Sequence, residues 1–272
     1  MSLPTVSESP LDSMPVNETR AQPFTDSEAI CLQDVCVRYR IPSERIHSFK
    51  EYAIRRLQRK VHMRDFWALQ DVNLSIQRGE AFGLIGNNGA GKSTLLKLVA
   101  RVFRPTSGRV LVMGHVAPLL EFGAGFHPEL TGRENIYLNG ALLGFTRDEM
   151  EEKFQRIVDF AELWDFIDSP MRAYSSGMWA RLGFAAATDV QPDILLVDEV
   201  LSVGDEAFQR KSAERMESFH ENGATIVLVS HIMTLIERMC HRAAWLDHGQ
   251  IKALGSVSDV IQAYRDGQAN PG

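Results

Sequence analysis

The residues with the clearest chemical meaning form the run GNNGAGKST at positions 86–94. This run fits the pattern G-x-x-x-x-G-K-[ST], and it lies between a short apolar run typical of a buried strand and a helical pattern. Its glycines would let backbone N–H groups approach phosphates, and the positive end of the following helix would attract the same anion. The sequence therefore predicts a nucleotide phosphate site, with a glycine turn before a core helix as the alternative. The residues of this site are Gly86, Asn87, Asn88, Gly89, Ala90, Gly91, Lys92, Ser93 and Thr94.

A pair of adjacent carboxylates, Asp198 and Glu199, follows the apolar run DILLV, which predicts that both lie at the end of a buried strand. In the phosphate loop, Lys92 is predicted to reach the β- and γ-phosphates, and the Ser93 hydroxyl to ligate Mg²⁺. Asp198 would hold the hydration shell of that ion, and Glu199 would orient or deprotonate the attacking water. An exposed acidic pair that caps a strand is the alternative interpretation.

His231 ends the next apolar run, TIVLVSH. The run would bring it to the edge where open α/β sheets bind their ligands, and its imidazole could hydrogen-bond the γ-phosphate there. By itself, a histidine at a strand end is more often a structural residue.

The segment YSSGMWARLGFAAA places Ser175, Ser176 and Gly177 directly before a helical pattern. Free backbone N–H groups and hydroxyls at such a helix start could bind a second anion. On local evidence alone, the simpler interpretation is an ordinary N-cap of a core helix.

Composition limits the kinds of partner. The chain has 272 residues, 44% hydrophobic and 24% charged, as expected for one large globular domain or a core with a subdomain. Its net charge of −6 argues against nucleic acid as the main partner. Residues 1–28 are rich in Ser, Pro, Thr and acid without an apolar run, which predicts a disordered tail rather than a secretory signal. No stretch approaches the roughly 18 to 20 apolar residues that span a bilayer. Three cysteines without metal-ligand spacing favour a reducing cytosol.

Apolar runs alternate with helical patterns along the chain. Strands are predicted at ICLQDVCVRY, LQDVNLSIQRGE, AFGLIG, DILLVDEV and ATIVLVSH, with helices after the phosphate loop and at about 206–220. Residues from about 131 to 187 are mostly helical in pattern, with breaks at GFTRDE and DSPMRAYSSG. Alternating strands and helices predict an α/β fold with a parallel sheet and a helical subdomain.

The phosphate loop, the Asp-Glu pair, the terminal histidine and YSSGM together resemble the motifs of ABC transporter ATPases, whose signature usually reads LSGGQ. The resemblance runs from about residue 30 to the C-terminus. It implies a RecA-like parallel sheet with an antiparallel β subdomain and a helical subdomain, all within residues 29–272. In that family, the signature segment contacts the γ-phosphate bound by the partner's phosphate loop. Because this chain carries one loop and one signature, a head-to-tail homodimer around two ATP molecules is the simplest expectation.

The resemblance also implies roles for individual residues. Met178 completes the signature segment, Asp205 in SVGD lies at the dimer seam, and Tyr39 stacks on adenine, unless it is an ordinary core or surface aromatic. The coupling loop of the family usually offers a glutamine to the metal, but PLLEFGAGFHPELTGRENI contains none. Glu121 is the nearest candidate metal ligand, although its carboxylate would repel the γ-phosphate.

The subgroup most similar in LLEFGAGFHPELTGRENIYLNGALLG exports lipid-linked polysaccharides such as O-antigen, capsule, teichoic acid and galactan. This likeness implies a permease subunit in two copies and a location at the cytoplasmic face of the plasma membrane. Some members carry a helical insert before the phosphate loop, and residues 43–66 here have apolar side chains at helical spacing beside seven basic ones. We expect this basic helix to lie near anionic headgroups and the lipid-linked glycan. A solvated amphipathic helix packed on its own domain is the alternative.

Two rival functions fit less well. Soluble ABC ATPases of DNA repair, chromosome organisation or translation tend to have long coiled coils or two cassettes, and neither fits 272 residues. A P-loop GTPase or small-molecule kinase would leave the signature segment and His231 unexplained. The sequence therefore favours an ATP-hydrolysing exporter subunit.

Overall fold

The computed structural model describes residues 25–42, 63–119, 123, 125–198 and 204–269. Most of the predicted tail and insertion, together with Glu121 and Glu199, lies outside the described residues. The strands are β1 (Glu28–Pro42), β2 (Met63–Gln77), β3 (Ala81–Ile85), β4 (Ser107–Val112), β5 (Val116–Leu119), β6 (Ile194–Asp198), β7 (Thr225–Val229), β8 (Arg242–Asp247) and β9 (Gln250–Ser256). The helices are α1 (Lys92–Val99), α2 (Gly132–Leu142), α3 (Arg147–Ala161), α4 (Ser176–Thr188), α5 (Glu206–Glu221), α6 (Met233–Met239) and α7 (Val257–Ala269).

The larger sheet has the strand order β5-β6-β7-β3-β8-β9. The first five strands in this order, β5, β6, β7, β3 and β8, pair in parallel. The last strand, β9, is antiparallel to β8. Strands β3 and β7 are buried at every position, as expected for parallel strands covered on both faces. The predicted α/β class with a parallel sheet is confirmed, and the carboxyl ends of β3, β6 and β7 meet at one edge.

A smaller antiparallel sheet, in the order β2-β1-β4, forms the β subdomain. Both long strands exceed their predicted lengths, and β2 begins at Met63, where the sequence pattern favoured helix through residue 66. That prediction is wrong for residues 63–66 because this segment pairs with the end of β1, from Pro42 opposite Met63 to Tyr39 opposite Phe66. A cross-strand ion pair of 3.0 Å between Arg38 and Asp65 stabilises the same pairing.

Three helices, α2, α3 and α4, lie between residues 131 and 188. Thr131 and Thr146 each start a helix with a capping box, in which the threonine hydroxyl and a glutamate three residues later satisfy each other's backbone N–H groups. One hydrophobic cluster joins these helices to the larger sheet, and a second fills the space between the two sheets and α1. Within the described part of the chain, we find no helix whose length and apolar character would let it cross a bilayer.

Candidate functional site

The predicted phosphate loop connects the end of β3 to the start of α1, and two of its glycines have no room for a side chain. Gly86 has φ 151°, and a Cβ there would lie 2.1 Å from the carbonyl oxygen of Leu246. Gly91 has φ 110°, and its Cβ would lie 2.6 Å from the carbonyl oxygen of Ala68. Gly89 also has positive φ, at 80°, but no atom of the described residues lies within 4 Å of its Cβ position. Backbone of neighbouring segments therefore packs tightly against the loop at Gly86 and Gly91, and the loop between them has space around it.

Lys92 is the buried cation of this loop, with only 6% of its surface exposed. Its ammonium donates hydrogen bonds to the carbonyl oxygens of Gly86, at 2.7 Å, and Asn87, at 3.1 Å. The loop thus wraps around a positive charge at the N-terminus of α1, where the helix dipole adds to the positive potential. A phosphate group fits this combination of glycines, ammonium and helix start.

Ser93 and Asp198 meet although they are far apart in the chain. The Ser93 hydroxyl donates to a carboxylate oxygen of Asp198 at 3.2 Å, because β6 ends at the same edge from which α1 begins. A hydroxyl and a carboxylate are the oxygen ligands that Mg²⁺ uses beside phosphate groups. The donor set at this edge therefore fits a magnesium ion bound together with a nucleotide.

His231 lies two residues beyond β7, and its side chain is exposed. Since β7 lies between β3 and β6 in the sheet, His231 follows the strand between the phosphate loop and Asp198. Position and exposure are compatible with the predicted contact to a γ-phosphate, which stays a prediction.

The signature segment begins α4. Ser175 is its N-cap, and the Ser175 hydroxyl accepts a hydrogen bond from the N–H of Met178 at 3.2 Å, so the N-cap interpretation holds as local structure. Ser175 and Ser176 are both exposed, and outside the backbone of α4 itself the nearest atom to the Cβ position of Gly177 among the described residues is the Ser175 hydroxyl, at 3.8 Å. The helix start is therefore accessible to a second molecule as well as capped.

Asp205 has a local role that the motif did not reveal. Its carboxylate caps α5 by accepting from the N–H of Phe208 at 2.9 Å, while the residue stays exposed. Its place at a dimer seam stays a prediction.

Tyr39 lies near the end of β1 with 39% of its surface exposed. Its ring meets Phe103 edge to face, with 6.2 Å between the centroids, and Phe66 is its partner on β2. The aromatic ring is thus available at the surface, but stacking on adenine stays a prediction.

Sequence reasoning missed the contacts that reach this site from the C-terminal end of the chain. The amide oxygen of Asn87 accepts hydrogen bonds from Tyr264, at 3.0 Å, and from Gln268, at 2.7 Å. The N–H of Gly249 donates to the carbonyl oxygen of Ala90 at 2.8 Å. No motif or periodicity connects residues this distant, so only the fold could reveal them.

A second group of contacts behind the signature helix was also missed. The carboxylate of Glu162 accepts from Lys211 at 2.8 Å and from Arg181 at 2.6 Å, which ties α3 to α5 and α4. The hydrogen bond from Lys211 is the main reason that the pKa of Glu162 lies below its ordinary value.

These features define the class of protein. A parallel sheet places a glycine-rich loop, a buried lysine and a serine–aspartate pair at one edge, which is the arrangement of a P-loop nucleotide hydrolase. The antiparallel subdomain and the helices inserted between β5 and β6 distinguish it from a plain P-loop domain.

Comparison with known proteins specifies the class further. The model of the family described as ABC transporter matches residues 69–202. The O-antigen export system ATP-binding protein RfbB of Klebsiella pneumoniae is 50% identical over 206 residues, which cover 76% of this chain and 84% of that protein. The protein of the same name from Myxococcus xanthus is 47% identical over 244 residues, which cover 88% of this chain and 56% of that protein. The chain belongs to the ABC transporter family, whose ATP-binding subunits are ATP hydrolases.

The matches also include proteins named as teichoic acids export ATP-binding protein, for example from Enterococcus faecalis, at 44% identity over 74% of this chain and 44% of that protein. The chain thus spans only about half the length of some relatives, 56% in Myxococcus xanthus and 44% in Enterococcus faecalis. Among solved structures, an ATP-binding cassette described as a dimer in a post-hydrolysis state with ADP and Pi has a TM-score of 0.67. It is 22% identical, with 84% of this chain and 98% of that chain covered, so it establishes the fold alone.

Proposed function

We propose that this chain is the ATP-hydrolysing subunit of an exporter that moves a lipid-linked polysaccharide across the cytoplasmic membrane. The observation that carries the proposal is the contact between Ser93 and Asp198 beside the buried Lys92, at one sheet edge, in a chain half identical to an O-antigen export ATP-binding protein. Relatives named for O-antigen and for teichoic acid export support a polymer of this broad type.

ATP would bind along the loop from Gly86 to Thr94. Backbone N–H groups of the loop would hold its phosphates, and Lys92 would neutralise charge between the β- and γ-phosphates. Tyr39 would stack on the adenine ring.

Magnesium would be held by Ser93 and Asp198, and it would offset negative charge that develops on the transferred phosphoryl group. Glu121 is proposed as a further ligand from the coupling loop. Glu199, which follows Asp198 in the chain, would orient the attacking water and accept its proton. His231 would hydrogen-bond the γ-phosphate from the neighbouring strand end.

A second copy of the chain would complete each site. The exposed helix start at Ser175, Ser176 and Gly177 would face the γ-phosphate bound by the partner, so that two ATP molecules lie between two chains. Met178 would continue this contact, and Asp205 would lie beside it at the seam.

The dimer would work at the cytoplasmic face of the plasma membrane, attached to two copies of an integral-membrane permease. The basic segment of residues 43–62, which lies outside the described residues, would approach anionic headgroups and the lipid-linked glycan there. Nucleic acid is not a proposed partner, because the net charge of the chain is −6.

The test replaces Lys92 with methionine in cells that depend on this chain, and measures surface polysaccharide and its lipid-linked precursor. Lys92→Met should lose surface polymer and accumulate precursor inside the cell, since the phosphate loop would no longer neutralise the triphosphate. Lys252→Met is the matched control, because Lys252 is exposed on β9 and its ammonium donates a hydrogen bond to the Gln250 side chain at 2.9 Å, away from the phosphate loop. Normal surface polymer in the Lys92 variant would refute the proposed function.

The permease and the basic segment need separate experiments. A polytopic membrane protein should co-purify with the tagged chain from detergent extracts, and its absence would contradict membrane attachment. Deletion of residues 43–62 should reduce export while ATP hydrolysis by the purified protein persists. Normal export after the deletion would eliminate the role proposed for that segment.

A further inference from the structure

The phosphate loop has a side-chain connection to the C-terminal helix. The amide oxygen of Asn87, the second residue of the loop, accepts hydrogen bonds from the Tyr264 hydroxyl, at 3.0 Å, and the Gln268 amide, at 2.7 Å. These donors are four residues apart on α7, so they lie on one face of the helix. Two donors on a single acceptor orient the Asn87 side chain toward α7.

The helix that supplies these donors is itself firmly placed. Val257, Val260 and Ile261 bury one side of α7 in the core. The Tyr264 ring meets Trp245 edge to face at 5.8 Å, and a Cβ added at Gly267 would lie 2.3 Å from the Trp245 ring. Because Gly267 lacks a side chain, α7 can lie directly against Trp245 of β8.

The same C-terminal unit touches the loop at its two flanks. Leu246 on β8 presses its carbonyl oxygen against Gly86, and Gly249 in the turn after β8 bonds the backbone of Ala90. Between these contacts, residues 87–89 are exposed, and no atom in the described part of the chain lies within 4 Å of the Cβ position of Gly89. The Asn87 side chain is thus the point where α7 reaches the exposed part of the loop.

We infer that Tyr264 and Gln268 are positioning residues of the ATP site and act through Asn87. By holding the Asn87 side chain, they keep the exposed half of the loop near the conformation in which its N–H groups converge on phosphate. A loop ordered before binding loses less conformational entropy when the ligand arrives, so its affinity is higher. Reacting atoms are not touched by either residue, so the rate at saturating ATP should change little.

Thermodynamic linkage requires that, if α7 strengthens ATP binding, ATP binding strengthens the placement of α7 by the same free energy. If α7 favours the binding-ready loop, then bound ATP must also stabilise the last turns of α7. Amide hydrogen exchange near Gln268 should therefore slow when ATP is added to the wild-type protein.

The inference rests on the ATP site proposed above, and the experiment separates the two. ATP binding to the full chain is measured by calorimetry in the presence of Mg²⁺, and hydrolysis is measured at saturating ATP. The double variant Tyr264→Phe/Gln268→Ala should bind ATP about fivefold more weakly, since two solvent-exposed hydrogen bonds are lost, while its rate at saturation stays within about twofold. Gln262→Ala is the matched control, because Gln262 lies on α7 and donates to the Asp266 carboxylate at 2.9 Å, with no hydrogen bond to the phosphate loop among the described residues.

A double-mutant cycle with Asn87→Ala distinguishes positioning of the phosphate loop by Tyr264 and Gln268 from general support of the fold. Asn87→Ala removes the acceptor, so adding Tyr264→Phe/Gln268→Ala to it should weaken ATP binding no further. Unchanged affinity in the double variant, or an equal loss in the Asn87→Ala background, would overturn the inference. If the wild-type protein itself fails to bind ATP, the proposed site is refuted instead.

Discussion

Replacing Gly86 with alanine tests how the phosphate loop is held. Gly86 has φ 151°, and its added Cβ would lie 2.1 Å from the Leu246 carbonyl oxygen and 3.3 Å from the Ala90 Cβ. The oxygen belongs to β8, which pairs with β3, so relief would require the backbone to move. Unfavourable φ costs about 1–3 kcal/mol, and overpacking adds about 1–3 kcal/mol. We therefore expect a loss of about 4 kcal/mol in the free energy of unfolding.

Gly89→Ala provides the matched control within the same loop. Gly89 has φ 80°, and the described residues leave open space around its Cβ position, so we count only backbone strain of about 1–2 kcal/mol. Urea unfolding followed by circular dichroism should show the Gly86 variant about 2–3 kcal/mol less stable than the Gly89 variant. Equal destabilisation would refute the reasoning that the Leu246 carbonyl fixes the start of the loop.

Three further predictions concern the site and its supports. Lys92→Met should lower the ATP hydrolysis rate of the purified protein by about 10²–10³-fold, as expected when an electrostatic contact to the transition state is lost. A rate close to wild type would show that the ammonium makes no such contact. Ser175→Ala should lower the free energy of unfolding by about 1 kcal/mol, because the hydroxyl that accepts from Met178 is lost; unchanged urea unfolding would contradict the cap. Lys211 lowers the pKa of Glu162, so the stability that this carboxylate contributes is present above its ordinary value of 4.5 and is lost as the pH falls through the lowered value. Glu162→Gln should therefore flatten the pH dependence of unfolding below about pH 4.5, and an unaltered profile would argue against this linkage.

Local patterns in the sequence predicted most of the elements that carry the chemistry. The run AFGLIG became β3 (Ala81–Ile85), and the helix expected at about 206–220 became α5 (Glu206–Glu221). Both succeeded because buried parallel strands and amphipathic helices have strong local signals. The meeting of Ser93 with Asp198 followed from the rule that parallel strands end at one edge.

Contacts between distant segments could not be predicted in the same way. The bonds from α7 to Asn87 depend on how the C-terminal helix packs against Trp245, which no local pattern encodes. The start of β2 was missed for a related reason, since the helical insertion predicted for residues 43–66 ran past Met63, where pairing with β1 decides the structure. Asp205 was interpreted only as a seam residue, although it also caps α5.

The central claim is that two chains share each ATP site. Its most direct test is the mass of the Glu199→Gln variant, measured by sedimentation equilibrium with and without ATP. This variant would bind ATP without hydrolysing it, so with Mg²⁺ and ATP it should sediment at about twice the chain mass of 30.5 kDa, and at the single mass without nucleotide. Adding Gly177→Asp should abolish the ATP-dependent dimer, because a carboxylate at the start of α4 would repel the partner's triphosphate. A single-chain mass for Glu199→Gln under saturating ATP, or hydrolysis at the wild-type rate, would contradict the account.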